Sequence, residues 1–381
     1  MDKKIISGIG ASIAIIIAIL AIVPNIGVNT TESNVTETNY VSLSSIENQK
    51  IGLVINSPAP PKTISDIQQV YVKGAESGVG RTNIYVLWSS FEPEPEKYNW
   101  DYLDVVMSFL QKNNMKATLF FSVVNGDQFG PFPDWMGKPG IGKTLELRTI
   151  KTLDKILSRY NIPGTMDLID TVIIGGEIDG HFRKNPTIIM NYEVFFDNVS
   201  GNIQAKFPNV KFGNTISLNN IIDRAEDEFV SQLIMGDFVG FSYKPTDLLN
   251  EINRTQEETK ADLDKMLELV PKKKIGMFEI SWSTSDFVMG NEEDQKKFIT
   301  TSLEFLKENQ ERFEFFTWYR LYDKIEGTCT SDLIEEIPGG GFTSNSFTIE
   351  RLDKYSCNSG LIDLNNNPKS GWIEFQKQIQ E

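Results

Sequence analysis

The chain has 381 residues, of which 40% are hydrophobic, so it can bury a large core, and a single α/β barrel domain accommodates this length. Its 37 basic and 52 acidic side chains give a formal charge of −15. This acidic balance argues against nucleic acid or anionic lipid as partners, and it suits an exported protein that handles a neutral substrate.

The N-terminal segment resembles a membrane anchor. Lys3 and Lys4 precede an uncharged run at residues 5–23 that is rich in Ile and Ala. Its length is close to the roughly 20 apolar residues that cross a bilayer, and the lysines favour an N-terminus left inside the cell. We expect residues 1–23 to form a transmembrane signal anchor, with a cleaved signal peptide as the alternative. Residues 24–48 are rich in Asn, Thr, Ser and Glu and predict a disordered polar tether, followed by one domain over residues 49–381.

Two further features favour an extracellular location. Glycosylation sequons, which support export only weakly because they often arise by chance, begin at Asn29, Asn34, Asn198 and Asn253. The two cysteines, Cys329 and Cys357, lie in one C-terminal insertion. Outside the cell they are expected to pair and fasten that loop, whereas two free buried thiols are the alternative.

From residue 50 onward, strand-like and helix-like segments alternate. The apolar, β-like runs cover residues 51–55, 83–87, 117–121, 171–176, 210–214, 238–243, 274–278 and 313–318. The helical patterns between and after them cover residues 64–75, 102–112, 145–160, 192–206, 225–234, 256–269, 292–309 and 372–379. Continuous apolar strands separated by helices indicate a parallel sheet covered on both faces. Because the units form one unbroken series and no glycine-rich phosphate loop follows the first strand, we predict an α/β fold, a single (β/α)8 TIM barrel.

Glu177 and Glu279 each close a strongly apolar run, at the predicted ends of the fourth and seventh strands. In such a barrel the catalytic residues gather at this rim. Two carboxylates there are what cleavage of a glycosidic bond requires, one as proton donor and one as nucleophile or base. The competing interpretation is that both are solvated loop acids.

The other side chains predicted at this rim are aromatic, acidic or amide-bearing. The candidate substrate-binding residues are Trp88, Glu92, Asn125, Trp135, Asp179, His181, Asn214, Tyr243, Trp282 and Trp318. Sugars present apolar C–H faces and hydroxyl edges, so their sites combine aromatic platforms with polar groups. A single tryptophan is more often core packing, but four of the six tryptophans fall on this rim.

The neighbours of each glutamate suggest its role. Apolar and glycine neighbours favour a raised pKa for Glu177 and hence the acid/base role, which leaves Glu279 as the nucleophile. His181 is the only histidine, and it either tunes the acid, binds a hydroxyl or is an ordinary loop residue. One histidine and two distant cysteines support neither a zinc site nor, without a G-x-S-x-G elbow, a serine triad. We expect no metal and no cofactor.

At these residues the chain resembles clan A retaining glycoside hydrolases. The segments that carry the resemblance are Trp88–Pro93 with Tyr98–Asp104 after the second strand, and Phe241–Pro245 and Phe278–Trp282, which are similar to strand ends of endo-β-1,4-galactanases. The resemblance implies a (β/α)8 barrel with the acid/base after strand four and the nucleophile after strand seven. One position departs from it, because the family has Asn before the acid/base, where it binds the sugar 2-hydroxyl, and here Gly176 stands there.

The resulting hypothesis is an extracellular, membrane-anchored, monomeric glycosidase that cleaves a β-linked polysaccharide or surface glycan by a retaining mechanism. The alternative is a catalytically silent barrel that binds carbohydrate or serves as a cell-surface scaffold, which the loss of the amide at Gly176 motivates. A barrel hydrolase of another bond type is a weaker possibility.

Overall fold

The computed structural model of the protein describes residues 49–61, 63–330 and 346–380. Within these ranges no helix combines the length and apolar character needed to cross a bilayer. The predicted anchor at residues 1–23 and the predicted tether at residues 24–48 lie outside the described residues.

Eight parallel strands close into a barrel. With the short additional strand β4, the nine strands of the described ranges are β1 (Ile51–Leu53), β2 (Arg81–Tyr85), β3 (Lys116–Asn125), β4 (Gln128–Phe129), β5 (Ile169–Gly176), β6 (Lys211–Ser217), β7 (Phe238–Tyr243), β8 (Lys274–Ile280) and β9 (Phe313–Trp318). β4 folds back antiparallel on β3, while every other neighbour is parallel and the β2–β3 pairing closes the ring. The predicted single (β/α)8 barrel is therefore confirmed, with its fourth strand at β5 and its seventh at β8.

Helices surround this ring. They are α1 (Ile64–Ala75), α2 (Trp88–Phe91), α3 (Asp101–Lys112), α4 (Lys143–Tyr160), α5 (Ile178–Lys184), α6 (Ile189–Gln204), α7 (Leu218–Arg224), α8 (Asp227–Val230), α9 (Gln256–Leu269), α10 (Glu292–Glu308), α11 (Ser346–Cys357) and α12 (Ser370–Gln380). Capping boxes at Thr63 and Thr255 satisfy the first free amides of α1 and α9, which sharpens the start of both helices.

Alternate residues of each strand face the lumen of the barrel and the helices, as the two-residue period of a strand requires. On β2 the residues Arg81, Asn83 and Tyr85 share one face, and the Asn83 amide donates across the lumen to the carbonyl oxygen of Phe278 (2.7 Å). The rings of Tyr85, Phe120 and Phe278 meet in the lumen at centroid distances of 5.5 to 5.8 Å. Aromatic rings thus fill the lumen below the rim, and the polar groups deeper in the barrel, such as Asn83 and Arg81, are hydrogen-bonded.

The strands that lead to Glu177 and contain Glu279 each have a register shift shortly before the glutamate. β5 gains one residue on β6 between Ile173 and Gly175, and β8 gains one on β7 between Met277 and Glu279. A bulge of this kind re-aims the side chain that follows it. On β8 it places both the Phe278 ring and the Glu279 carboxyl on the lumen side.

Helix α11 lies against the carboxyl ends of the strands. A disulfide between Cys329 and Cys357, with Cα atoms 5.7 Å apart, ties the loop after β9 to the end of α11, which confirms the predicted pairing. Leu352 of α11 packs into the lumen cluster beside Tyr319, and Tyr355 donates a hydrogen bond to the carbonyl oxygen of Ser281 (2.8 Å). α11 therefore covers the part of the rim at the ends of β8 and β9.

One predicted helix is wrong in its bounds. The pattern at residues 225–234 indicated a helix there, whereas α7 ends at Arg224 and α8 is a separate short helix. The break is at Ala225, which adopts a left-handed conformation (φ 52°) that a continuous helix does not allow.

Candidate active site

Glu177 follows β5 directly and has a left-handed backbone conformation (φ 44°, ψ 48°), which is costly for a residue with a side chain. Its amide is held by the Thr215 hydroxyl, to which it donates at 2.7 Å. The Ser242 hydroxyl donates to Oε1 of the carboxyl group, while buried Oε2 has no hydrogen-bond partner within the described ranges. The turn thus directs one carboxyl oxygen, unpaired, into the mouth of the barrel.

Glu279 lies within β8, one residue before the strand ends, and is 5% exposed. The Tyr85 hydroxyl on β2 donates to its Oε1 across the lumen. This bond fixes the carboxylate from the opposite side of the ring, so the rigid frame of two strands sets its position.

Two buried cations complete the cluster. Lys244, which follows Ser242 on the lumen side of β7, is 6% exposed, and its Nζ has no hydrogen-bond partner in the part of the chain that the structure describes. Arg320, two residues after β9, is 1% exposed, and its guanidinium lies over the Tyr319 ring at 4.3 Å. The charge of Lys244 acts on both glutamates, and the charge of Arg320 acts on Glu279 and Lys244.

Burial dominates the acid–base properties of this cluster. It raises the pKa of Glu177 well above the ordinary carboxyl value, and the Lys244 charge and the Ser242 hydrogen bond only partly oppose this. Burial also raises the pKa of Glu279 to about 7, against the lowering effects of Tyr85, Lys244 and Arg320. For the two cations burial acts in the other direction, since it lowers the pKa of Lys244 and brings that of Arg320 to about 10.

The glycine before Glu177 has a packing explanation. A Cβ atom at Gly176 would lie 2.7 Å from the ring of Phe120, which fills the adjacent part of the lumen. The same hypothetical atom would be 3.6 Å from Oδ1 of Asn125, a buried oxygen without a hydrogen-bond partner among the described residues. Phe120 therefore excludes a larger residue at this position, and Asn125 brings an amide group to its vicinity.

Three of the predicted tryptophans are packed between strands and helices. Trp88 lies against Phe121 (5.0 Å between centroids), Trp282 against Phe298 (5.3 Å), and Trp318 against Phe298 and Phe375 (6.0 and 6.4 Å). Each of the three rings is at most 2% exposed. Since protein atoms occupy their faces, we assign them to packing rather than to sugar platforms.

Trp135 and Glu92 form a separate cluster on the helix side. Glu92 accepts hydrogen bonds from the Trp88 indole (2.8 Å) and the Thr152 hydroxyl (3.1 Å). The Trp135 indole donates to the main-chain carbonyl oxygen of Glu92 (2.9 Å), and the Arg148 guanidinium covers its ring at 5.1 Å. Trp135 is the partly exposed member of the four predicted rim tryptophans.

Tyr243 and Asn214 also have partners on surrounding helices. The hydroxyl of Tyr243 donates to Asp262 on α9 (2.7 Å), and Asn214 accepts from Tyr192 on α6 (2.8 Å). These contacts direct both side chains away from the two glutamates.

Asp179 and His181, both on α5, hold the loops around Glu177. Asp179 accepts from the Ser217 amide (2.9 Å) and pairs with Arg183 (3.2 Å). The ring of His181 contacts the main-chain oxygen of Asp127 (3.1 Å) and stacks on Phe129. Their contacts support the turn that carries Glu177.

Four residues of the cluster were missed by the sequence reasoning, namely Tyr85, Ser242, Lys244 and Arg320. For three of them the signal was the two-residue alternation within their strands. Tyr85 follows Arg81 and Asn83 on one face of β2, and Ser242 follows Gly240 on one face of β7, with Lys244 continuing this alternation directly after the strand. Arg320 lies in the turn after β9, where no periodic pattern indicates its direction.

Comparison with known proteins shows the fold. No family model and no curated protein sequence matches the chain. Among solved structures, a GH5_18 glycoside hydrolase from Bifidobacterium longum subsp. infantis superposes with a TM-score of 0.63 at 11% identity, over 87% of this chain and 78% of that one. Xylanase 10B from Thermotoga maritima superposes with a TM-score of 0.57 at 15% identity, over 89% of this chain and 97% of that one. A family 39 glycoside hydrolase from Bacteroides cellulosilyticus WH2 superposes with a TM-score of 0.56 at 14% identity, over 87% of this chain and 64% of that one.

These neighbours are glycoside hydrolases built on the same barrel, so the predicted resemblance to clan A barrels is confirmed at the level of the fold. The finer resemblance to galactanases stays a prediction.

Proposed function

We propose that the protein is a retaining glycoside hydrolase in which Glu177 is the acid/base and Glu279 the nucleophile. The observation that carries this proposal is that both carboxyl groups belong to one buried cluster: Ser242, which donates to Glu177, is the register partner of Glu279 on the neighbouring strand. The glycoside hydrolase fold of the structural neighbours supports it.

The contacts of each glutamate suit its proposed role. The raised pKa of Glu177 favours the protonated form, and because Ser242 donates to Oε1, unpaired Oε2 is the oxygen that can hold the proton for the leaving group. Glu279 must be ionised to attack the anomeric carbon, and Tyr85, Lys244 and Arg320 all favour its charged form. After the leaving group departs, the ionised Glu177 takes a proton from the water that releases the sugar.

The proposed setting is extracellular, with a β-linked polysaccharide or surface glycan as substrate and the N-terminal segment as membrane anchor. A disulfide persists mainly in oxidising compartments, which supports export. We further propose that the domain acts as a monomer.

A second candidate function is a catalytically silent barrel that binds carbohydrate. The observation in its favour is Gly176, since the ring of Phe120 leaves no space for the amide that the resemblance implies before the acid/base. In the enzymatic proposal, the unpaired Oδ1 of Asn125 supplies a polar contact near this position instead.

Incubation with a panel of glycans labelled at the reducing end separates the two functions. The enzymatic proposal predicts products from the wild type, a loss of about 10²- to 10⁴-fold for Glu177→Gln, and no detectable turnover for Glu279→Gln. Glu308→Gln, at an exposed position of α10, is the matched control and keeps full activity. Equal turnover by wild type and Glu279→Gln removes the assigned nucleophile, and glycan binding without any product supports the silent barrel.

A further inference from the structure

The buried cations Lys244 and Arg320 both have hydrogen-bond donors without a partner among the described residues. A buried ammonium group is stable only when it is paired or hydrogen-bonded, yet Nζ of Lys244 has no hydrogen-bond partner within the described residues. The same holds for Nε of Arg320, whose Nη1 has only the weak sulfur acceptor of Cys329 (3.6 Å). Two donors on buried cations are therefore left unsatisfied at the mouth of one barrel.

Within the described residues, no neighbouring carboxylate hydrogen-bonds these two donors. In the state that cleaves a glycoside, Glu177 is protonated and neutral, so one negative charge on Glu279 faces two positive charges on Lys244 and Arg320. The charges of Asp323 and Asp353 also act on Arg320, but neither carboxylate is hydrogen-bonded to its guanidinium: Asp323 pairs with Lys369 (2.7 Å), and Asp353 accepts from the amides of Cys329 and Thr330 (2.9 and 3.1 Å).

Near Glu177, the Asp179 carboxylate likewise has a partner of its own in Arg183 (3.2 Å). Lys244 Nζ and Arg320 Nε thus remain without a hydrogen-bonded carboxylate among the described residues, inside a protein whose net charge is −15.

We propose that the glycan bound at this site carries an anionic substituent, the carboxylate of a uronic acid or a sulfate ester, which pairs with Lys244 and Arg320. This inference rests on the proposed function for the position of the sugar. The inference replaces the expectation of a neutral substrate. The net charge of the protein affects how a substrate approaches over long distances, whereas the buried cations determine which substrate groups bind at the mouth of the barrel. A buried, unpaired cation also penalises a neutral analogue, which leaves it unsatisfied.

The test compares substrates that differ only in the charged group. The full chain is assayed with the 4-nitrophenyl β-glucuronide and β-glucoside, the β-galacturonide and β-galactoside, polyuronides before and after reduction of their carboxyl groups, and sulfated glycans before and after desulfation. We expect kcat/KM to favour one anionic class by about 30-fold or more, and the Lys244→Met and Lys244→Gln variants to lose this preference. Lys272→Met, which removes an exposed charge before β8 at the other end of the barrel, keeps it.

The outcomes separate the two claims. Turnover of neutral substrates without anionic preference, with an equal loss on both substrate classes in Lys244→Met, overturns the inference and leaves the proposed function standing. If no glycoside is turned over, the proposed function fails, and calorimetric titration of Glu177→Gln decides the inference, since the glutamine amide is uncharged like the protonated acid and the variant keeps both cations. Binding of anionic glycans over their reduced or desulfated forms then supports it, and equal or absent binding overturns it.

Discussion

Replacing Tyr85 with Phe tests how the nucleophile is kept ionised. The variant retains the ring that packs against Phe120 and Phe278 and removes only the hydroxyl that donates to Glu279. A hydrogen bond to a charged group contributes about 1.5–3 kcal/mol, and one pKa unit corresponds to about 1.4 kcal/mol. The pKa of Glu279, already about 7, should therefore rise by roughly one to two units.

The sign of the effect on activity follows from the role of each group. Glu279 works ionised, so kcat/KM rises as pH increases through its pKa, and Glu177 works protonated, so kcat/KM falls as pH increases through its own raised pKa. The pH profile of kcat/KM is therefore bell-shaped, with an acidic limb set by Glu279 and a basic limb set by Glu177. In Tyr85→Phe the acidic limb moves to higher pH, so the active pH range narrows. At pH values well below 7, kcat/KM falls by about tenfold or more.

The assay is a pH profile of kcat/KM on the best substrate, with unfolding monitored in parallel. Tyr160→Phe is the matched control, because it removes a buried tyrosine hydroxyl that donates to Asp104 (2.9 Å) in the helix layer. It should leave both limbs in place. An acidic limb that does not move in Tyr85→Phe would refute the assignment of Glu279 as the group that must be ionised.

The other predictions concern packing, covalent closure and charge. Gly176→Ala should lower the free energy of unfolding by about 1–3 kcal/mol in denaturant titrations, because its Cβ meets Phe120, and the added Phe120→Leu change should restore part of it; an unchanged midpoint contradicts this packing. Replacing Cys329 and Cys357 by Ser opens a loop of sequence separation 28 and should cost roughly 3 kcal/mol, with no further loss on adding reductant. Lys244→Met should move both limbs of the pH profile to higher pH, since its charge lowers the pKa of both glutamates; limbs that stay in place argue against this charge coupling.

The helices and strands could be predicted from the sequence where the hydrophobic pattern and the capping or turn residues indicate the same bounds. α1, α9, β7 and β9 have the predicted bounds, because strand runs and helical patterns there coincide with clear caps or turns. The positions of the two glutamates near strand ends were predicted for the same reason, since each comes at the end of a clear apolar run. α11 was missed, because its covering role depends on contacts with Tyr319 and Ser281 that are distant in the chain.

The direction in which the side chains after each strand point was harder to predict from the sequence. Trp282 and Trp318 follow or end strands as predicted, yet they face Phe298 in the helix layer, because position at a strand end does not decide which face a residue takes. Local bulges change that face, and the shifts before Glu177 and Glu279 depend on pairing with the neighbouring strand. Alternation within β2 and β7 did contain the information for Tyr85 and Lys244.

The central claim is that Glu279 attacks the sugar and Glu177 assists it. The most direct measurement is mass spectrometry of peptides after the protein has reacted with activated 2-deoxy-2-fluoro-β-glycosides, which slow release of a covalent sugar. The account predicts one glycosyl adduct, on the peptide that contains Glu279, with retained anomeric configuration in the products of ordinary substrates. An adduct on another carboxylate, or inverted products with no adduct, would contradict it.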